Sequence, residues 1–203
     1  LENRLLIIKH FRLFFLMGAL FVPLGNGLIY IAYLNTTAIN GGVVSASQPA
    51  ITVLLTWFLF HELINWKQSM GIIIAGMGVF WIITRGEPAA LLTMEFNNGD
   101  LVMLAAVVFG AMYNVLIRKV PKRISVTQLM VIVLLFGSLI TLPFYILETI
   151  YFGPVKVNTV TILSILWVGI AVTAIAVGMI SFSIRKVGAN RASTSNYLRA
   201  LFT

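Results

Sequence analysis

Residues 118–147 read RKVPKRISVTQLMVIVLLFGSLITLPFYIL: a connection with four basic residues, followed by an uncharged apolar run. As a helix rising about 1.5 Å per residue, the run from 126 to 147 is long enough to cross a hydrocarbon layer of about 30 Å. Basic residues beside such a run favour the cytoplasmic side of a membrane. This stretch therefore predicts a membrane-spanning helix with a fixed direction.

Six further apolar runs surround this one, with short connections between them. The last has fifteen residues, whereas a spanning helix needs about twenty, so we expect the sequence to be a fragment of a longer chain. We predict an all-α integral membrane protein, a multi-span helical bundle whose last span is truncated. The seven runs are 13–34, 38–60, 66–84, 101–117, 126–147, 159–184 and 189–203.

Lys and Arg residues concentrate on alternate connections. Eleven of the 14 lie before the first run, in the second, fourth and sixth connections, or within the first three residues of the run that follows one of these connections; the other connections hold only Arg85 and Lys156. By the positive-inside rule, we expect the Leu1 end in the cytoplasm and the protein in the plasma or inner membrane.

Composition excludes several classes of protein. With 60% hydrophobic and 10% charged residues and a mean hydropathy of +1.00, the chain has more apolar surface than a soluble domain could enclose. The net charge of +8 is placed at span ends, where it meets lipid head groups, so we predict no nucleic-acid partner. Cysteine is absent, Asp100 is the only aspartate, and no HExxH motif occurs. We therefore predict no enzymatic activity, no metal and no cofactor.

A shift of 151 residues superimposes the first two runs on the last two without a gap. It places Gly18 on Gly169 and Ala38 on Ala189. The two leading spans should cross the membrane in opposite directions, which is typical of inverted-topology repeats with an odd number of spans. We predict a bundle built from inverted five-span repeats. Residues 1–90 are the remainder of the first repeat, and residues 91–203 are the second repeat, which is truncated.

Several short motifs follow one another in a characteristic order. In the first half, Glu62 closes one span and Trp66-Lys67-Gln68 leads into the next; the second half contains Tyr113-Asn114, then Arg118-Lys119, then Gly188-Ala189-Asn190-Arg191. This order resembles that of EamA-type transporters of the drug/metabolite transporter superfamily. The resemblance implies ten spans, so the chain would lack the first two and the last one to two. Residues 1–90 would then hold spans 3–5, and residues 91–203 would hold spans 6–9.

The same resemblance implies a secondary transporter of small organic metabolites, amino-acid-like or otherwise amphipathic. It also implies export by alternating access at a cavity near the membrane midplane, with the lipid bilayer and a small-molecule substrate as partners. A channel-like or scaffold membrane subunit without carrier activity is the alternative. Whether the protein forms a homodimer stays open.

Polar side chains within the runs are the candidates for substrate binding. Ser45, Gln48 and Thr52 share one helix face, and the shift of 151 carries Ser45 and Gln48 onto Asn196 and Arg199. These positions lie about 15 Å into their spans, where transporters with inverted repeats bind substrate. The alternative is that such side chains on packed helices bond one another and the backbone, at about 0.6 kcal/mol on average.

The stretch Pro23 to Gly27 contains one proline and two glycines, and predicts a kink or an unwound turn inside the first run. We expect Asn26 and Tyr30 to face one cavity, with Tyr30 as an ordinary core aromatic in the alternative. The predicted substrate-binding residues are Asn26, Tyr30, Ser45, Gln48, Tyr113, Asn114, Asn196 and Arg199.

Two further expectations concern span ends and packing. Glu62 lies near the cytoplasmic surface, and we predict a role in gating or coupling for it. Gly71, Gly76 and Gly78 are expected to permit close contact between helices, because glycine lets backbones approach.

Arg199 gives a testable prediction, since a guanidinium at mid-membrane costs about 2.5 to 3.5 kcal/mol unless it has a partner or water. We expect Arg199 to bind an anionic group of the substrate. Arg199→Gln should therefore weaken the apparent affinity for anionic substrates, measured as substrate flux in proteoliposomes. An unchanged affinity would mean that Arg199 is bound by helix carbonyls or by another segment of the protein.

Overall fold

The computed structural model describes residues 2–63, 65–83, 97–155 and 157–193. Within these ranges the chain forms helices joined by short turns, and no strand occurs. In chain order the helices are α1 (Glu2–Lys9), α2 (Phe11–Ala32), α3 (Ala38–Phe60), α4 (Trp66–Ile83), α5 (Asn98–Lys119), α6 (Val126–Phe152), α7 (Thr159–Val187) and α8 (Ala189–Ser193).

Five of these helices, α2, α3, α5, α6 and α7, are long and apolar enough to cross a membrane. Helix α4 follows the predicted run 66–84 as far as Ile83, and α8 begins the last run at Ala189. The predicted all-α membrane bundle is therefore confirmed.

Short polar residues fix where the spans begin. The Asn97 side chain accepts the backbone N–H of Gly99 at 3.0 Å and caps α5. Ser125 and Gln128 form a reciprocal capping box at the start of α6. These side chains satisfy N–H groups that have no partner in the first helical turn.

Helix α5 is the centre of the described bundle. Half of the residues in its most apolar 18-residue stretch are buried inside the protein, compared with 17% for the corresponding stretch of α6 and none for that of α7. It packs against α2 on one side and α3 on the other. Its neighbours Phe14 and Met17 of α2 and Leu129 of α6 are fully buried in the main apolar core.

Two glycines allow α2 and α6 to approach closely. A Cβ atom at Gly18 would lie 2.8 Å from the Cβ of Phe136, and one at Gly137 would lie 2.1 Å from Cγ2 of Val22. Close helix contact is thus made at Gly18 and Gly137.

The corresponding expectation for Gly71, Gly76 and Gly78 is wrong. A Cβ atom at any of them would meet no atom of the described structure within 4 Å. The reason is the position of α4, which lies at the margin of the described bundle and makes few contacts with α5.

The irregular backbone predicted inside the first run is confirmed. Residues Val22–Gly27 form a π-helical segment within α2, and a longer one, Val168–Val177, interrupts α7. Pro23 has no N–H to donate, which disrupts the helical ladder at this point. The Asn26 side-chain amide donates to the carbonyl oxygen of Phe21 at 2.8 Å, so this backbone carbonyl has a hydrogen-bond donor at the start of the irregular segment.

The glycine contact predicts a difference between two equivalent substitutions. Gly137→Ala should lower the melting temperature of the purified protein, because overpacking costs about 1 to 3 kcal/mol and exceeds the helix-propensity gain of about 1 kcal/mol. Gly76→Ala, the matched control, should leave it equal or higher. A melting temperature of Gly137→Ala at or above that of the unmodified protein would contradict this packing.

Candidate functional site

A cavity of about 150 Å³ lies between α2, α3 and α5, and α7 contributes to one side. Its polar lining comes from Asn26 of α2, Ser45 and Gln48 of α3, and Tyr113 and Asn114 of α5. The other lining residues are Phe21, Gly25, Ile29, Ala106, Val107, Gly110, Val177 and Ile180. Three separate runs of the sequence thus bring five of the eight predicted residues together.

A break in α3 positions Gln48. The helix is interrupted at Ser47, whose hydroxyl donates to the carbonyl oxygen of Val44 at 2.6 Å, and a second helical segment starts at Gln48 with Pro49 in its first turn. Proline suits this position because the first N–H groups of a helix need no intrahelical acceptor. Opposite, a Cβ atom at Gly110 would lie 3.5 Å from Nε2 of Gln48, an ordinary van der Waals contact, so Gly110 lies directly beside the amide.

Hydrogen-bonding groups rather than charges characterise this cavity. Its described lining contains three amides, a hydroxyl and a phenol, and no Asp, Glu, Lys or Arg. Thr52, which shares the predicted polar face, is fully buried, and its hydroxyl donates to the Gln48 carbonyl at 2.7 Å. Thr52 therefore bonds within its own helix, as the packing alternative expects.

The structure does not place every predicted residue at the cavity. Tyr30 is 64% exposed and is not part of the lining. Residues four apart share a face only in α-helical geometry, and the π-helical segment Val22–Gly27 ends just before this turn and changes the register. Asn196 and Arg199 lie outside the described residues.

An ion pair lies at one end of the helices that line the cavity. Arg118 Nη2 lies 2.5 Å from Glu62 Oε1, which joins the end of α3 to the end of α5. The Phe60 ring lies beneath the guanidinium, with Cζ of Arg118 at 4.7 Å from the ring centroid. The sequence predicts a role for Glu62 at this end, but it does not identify Arg118 as the partner of Glu62. The available signal was the placement of Glu62 and Arg118 at the ends of two runs that both stop on the same predicted membrane side.

A buried carboxylate lies at the opposite end. Asp100, in the first turn of α5, is fully buried and accepts hydrogen bonds from the Thr36 hydroxyl and from Nδ2 of Asn40 at 3.4 Å. Sequence reasoning missed this role, although an aspartate beside the cap of a spanning helix was a visible signal. Along α5, Gly110 at the cavity is about 15 Å from Asp100 and about 12 Å from Arg118.

Comparison with known proteins adds a family to this geometry. The model of the EamA-like transporter family matches residues 2–84 and 97–203. The chain is 30% identical to the uncharacterized transporter YyaM of Bacillus subtilis over 97 residues, which is 48% of this chain and 32% of that protein. It is 22% identical to an uncharacterized transporter of Methanothermobacter thermautotrophicus over 206 residues, 99% of this chain and 58% of that protein.

A second Bacillus subtilis protein, the uncharacterized transporter YetK, is 30% identical over 113 residues, 56% of this chain and 34% of that protein. The chain thus spans less than two thirds of the length of each of these relatives. No solved structure matches it. The family model covers nearly the whole sequence, and this protein is an integral membrane protein that belongs to the EamA-like transporter family.

Proposed function

We propose that the protein is a carrier that exports small organic metabolites by alternating access, with the cavity between α2, α3 and α5 as its substrate site. The observation that carries this proposal is the convergence of Asn26, Gln48 and Asn114 on one cavity from three different helices. Polar side chains in spanning helices are costly in lipid, and they mark substrate pathways where they face a cavity.

The lining indicates the class of substrate. A cavity of about 150 Å³ is comparable to one that holds a benzene-sized ligand, so the substrate is a single small metabolite. Amides and a phenol offer both donors and acceptors beside apolar walls, which suits an amino-acid-like or otherwise amphipathic solute. In this proposal Arg199 adds a site for an anionic group.

Alternating access requires that each end can close and open in turn. The Glu62–Arg118 pair would close the end that the positive-inside rule assigns to the cytoplasm, and Asp100 with its two donors would close the other. The shift of 151 carries the π-helical segment Val22–Gly27 onto residues 173–178, which overlap the segment Val168–Val177. This correspondence supports two inverted repeats that move against each other.

The substrate site predicts unequal effects of the same substitution at two tyrosines. After a counterflow screen identifies a substrate, Tyr113→Phe should weaken its binding about tenfold, because an unpaired polar group costs about 1 to 3 kcal/mol. Tyr30→Phe should leave binding unchanged, since Tyr30 is not at the cavity. Gln48→Leu should weaken binding as well.

The same counterflow assay separates a carrier from a pore. Preloading vesicles with substrate accelerates uptake by a carrier and has no such effect on a channel. Equal effects of the two tyrosine substitutions, with both proteins folded, would remove the cavity as the substrate site.

The proposed cytoplasmic closure predicts a change in access to the cavity. Because the sequence contains no cysteine, Ser45→Cys places a single thiol in the lining, and its rate of alkylation by an impermeant maleimide reports on opening. Glu62→Gln should raise the rate from the side of the ion pair about two- to fivefold, as expected for an exposed pair worth up to about 1 kcal/mol.

Two controls accompany this measurement. Exchanging the charges, Glu62→Arg with Arg118→Glu, should restore the original rate, and Lys119→Gln should not change it, because Lys119 is exposed and outside the ion pair. An unchanged rate in Glu62→Gln would show that the pair does not restrict entry.

A further inference from the structure

A second cavity, of about 330 Å³, lies at the basic end of the bundle and outside the proposed substrate site. It is formed where α5 and α7 end, and three of its lining residues are cationic: Arg118, Lys122 and Arg185. The other lining residues are Ile117, Val120, Ile184 and Gly188. We call this cavity the basic pocket.

Arg185 has spare hydrogen-bonding capacity in the basic pocket. Its Nη1 donates to the carbonyl oxygen of Ile124. Its Nη2 is buried and has no hydrogen-bond partner among the described residues. A buried, unpaired guanidinium nitrogen is costly, so an acceptor from outside the protein would stabilise it.

The charge balance at the basic pocket favours an anionic acceptor. Arg118 is paired with Glu62, and this is the one salt bridge within the described part of the chain. Lys122 and Arg185 therefore face the pocket without a carboxylate in its described lining. Basic residues in the last turn of a helix offset its dipole, but that role explains neither a cavity of this size nor the unpaired nitrogen.

An apolar groove begins beside the basic pocket and follows α6 and α7. Its volume is about 590 Å³, and its walls include Val126 and Val131 on α6, and Ala174, Met179, Phe182 and Ser183 on α7. Val126 lies two residues after Ile124, and Ser183 lies two residues before Arg185. Ile124 and Arg185 are hydrogen-bonded to each other, so the groove begins next to the basic pocket. The α7 wall extends from Ala174 to Ser183, ten residues or about 14 Å along the helix.

The groove is open to the exterior of the described bundle. Met179 is 67% exposed, and Phe182 and Val131 are about half exposed. An apolar surface at membrane depth, next to a cationic pocket at its end, matches the two parts of a phospholipid, an acyl chain and a phosphate.

We propose that the basic pocket and the groove together bind one anionic glycerophospholipid from the leaflet that the basic end faces. Its phosphate accepts hydrogen bonds from Arg185 Nη2 and from Lys122, and one acyl chain lies along the groove between α6 and α7. The lipid would thereby hold the end of α7 against the loop before α6.

Native mass spectrometry of the full protein in detergent tests this proposal with defined lipids. Phosphatidylglycerol should be retained in preference to phosphatidylcholine. Arg185→Gln and Lys122→Gln should each reduce retention of phosphatidylglycerol about tenfold, the effect of losing a charge-assisted hydrogen bond. The matched control Lys119→Gln removes an exposed charge at the same end and should have no effect.

Two further arms distinguish a lipid from a soluble anion. Glycerol phosphate and inorganic phosphate carry the same chemistry without a chain, and they should bind much more weakly than the lipid. Ala174→Trp, which fills the groove, should weaken lipid binding and leave phosphate binding unchanged.

The outcomes that overturn the proposal are specific. Equal retention of the two lipids, or tight binding of inorganic phosphate that is insensitive to Ala174→Trp, would show that no phospholipid is selected. Unchanged lipid retention by folded Arg185→Gln protein would exclude the basic pocket as the lipid site. If another segment of the protein occupies the groove, Ala174→Trp would have no effect on lipid retention, and this result would exclude the groove.

Discussion

Backbone N–H and C=O groups inside a hydrocarbon layer must find their partners within the protein, and this constraint shapes the whole molecule. It requires helices across the layer, and it restricts irregular backbone to places that are buried or wet. The two interruptions that line the cavity follow this rule. At Val22–Gly27 the Asn26 amide bonds to Phe21, and at the break in α3 the Ser47 hydroxyl bonds to Val44. The same departures from α-helical geometry open the space between α2, α3 and α5.

Much of the fold could be predicted because apolar length and charge position depend on local sequence. The bounds of the helices agree with the runs to within a few residues, and Pro23 predicts the irregular turn that occurs at Val22–Gly27. Positions on neighbouring helices were harder to predict. The glycines at 71, 76 and 78 resemble Gly18 and Gly137 in sequence, but within the described part of the chain only the latter two meet a partner helix. Which face meets a neighbour depends on tertiary packing, which periodicity alone does not specify.

The candidate site shows the same division. Asn26, Gln48 and Asn114 were recognisable as polar residues deep within apolar runs, and the structure brings them to one cavity. Tyr30 was predicted to face the cavity with Asn26, because residues four apart share a face of an α-helix. This periodicity fails across the π-helical segment Val22–Gly27. The partner of Glu62 and the donors to Asp100 are 56 to 64 residues away in sequence, and pairings over such separations leave no local pattern. The central position of α5, which supplies Asp100, Tyr113 and Arg118, links both ends of the bundle to the cavity.

The burial of Asp100 makes the two ends of α5 energetically unlike. In its ionised form this carboxylate has only neutral donors in Thr36 and Asn40, so it forgoes most of its hydration while it is enclosed. Water that entered from that side would solvate it and compensate for the lost hydrogen bonds. Parting Glu62 from Arg118 instead separates opposite charges that are already partly hydrated. In the proposed carrier cycle, hydration of Asp100 would therefore favour opening at its end, and ionic strength, which screens exposed charges, should modulate only opening at the Glu62–Arg118 end.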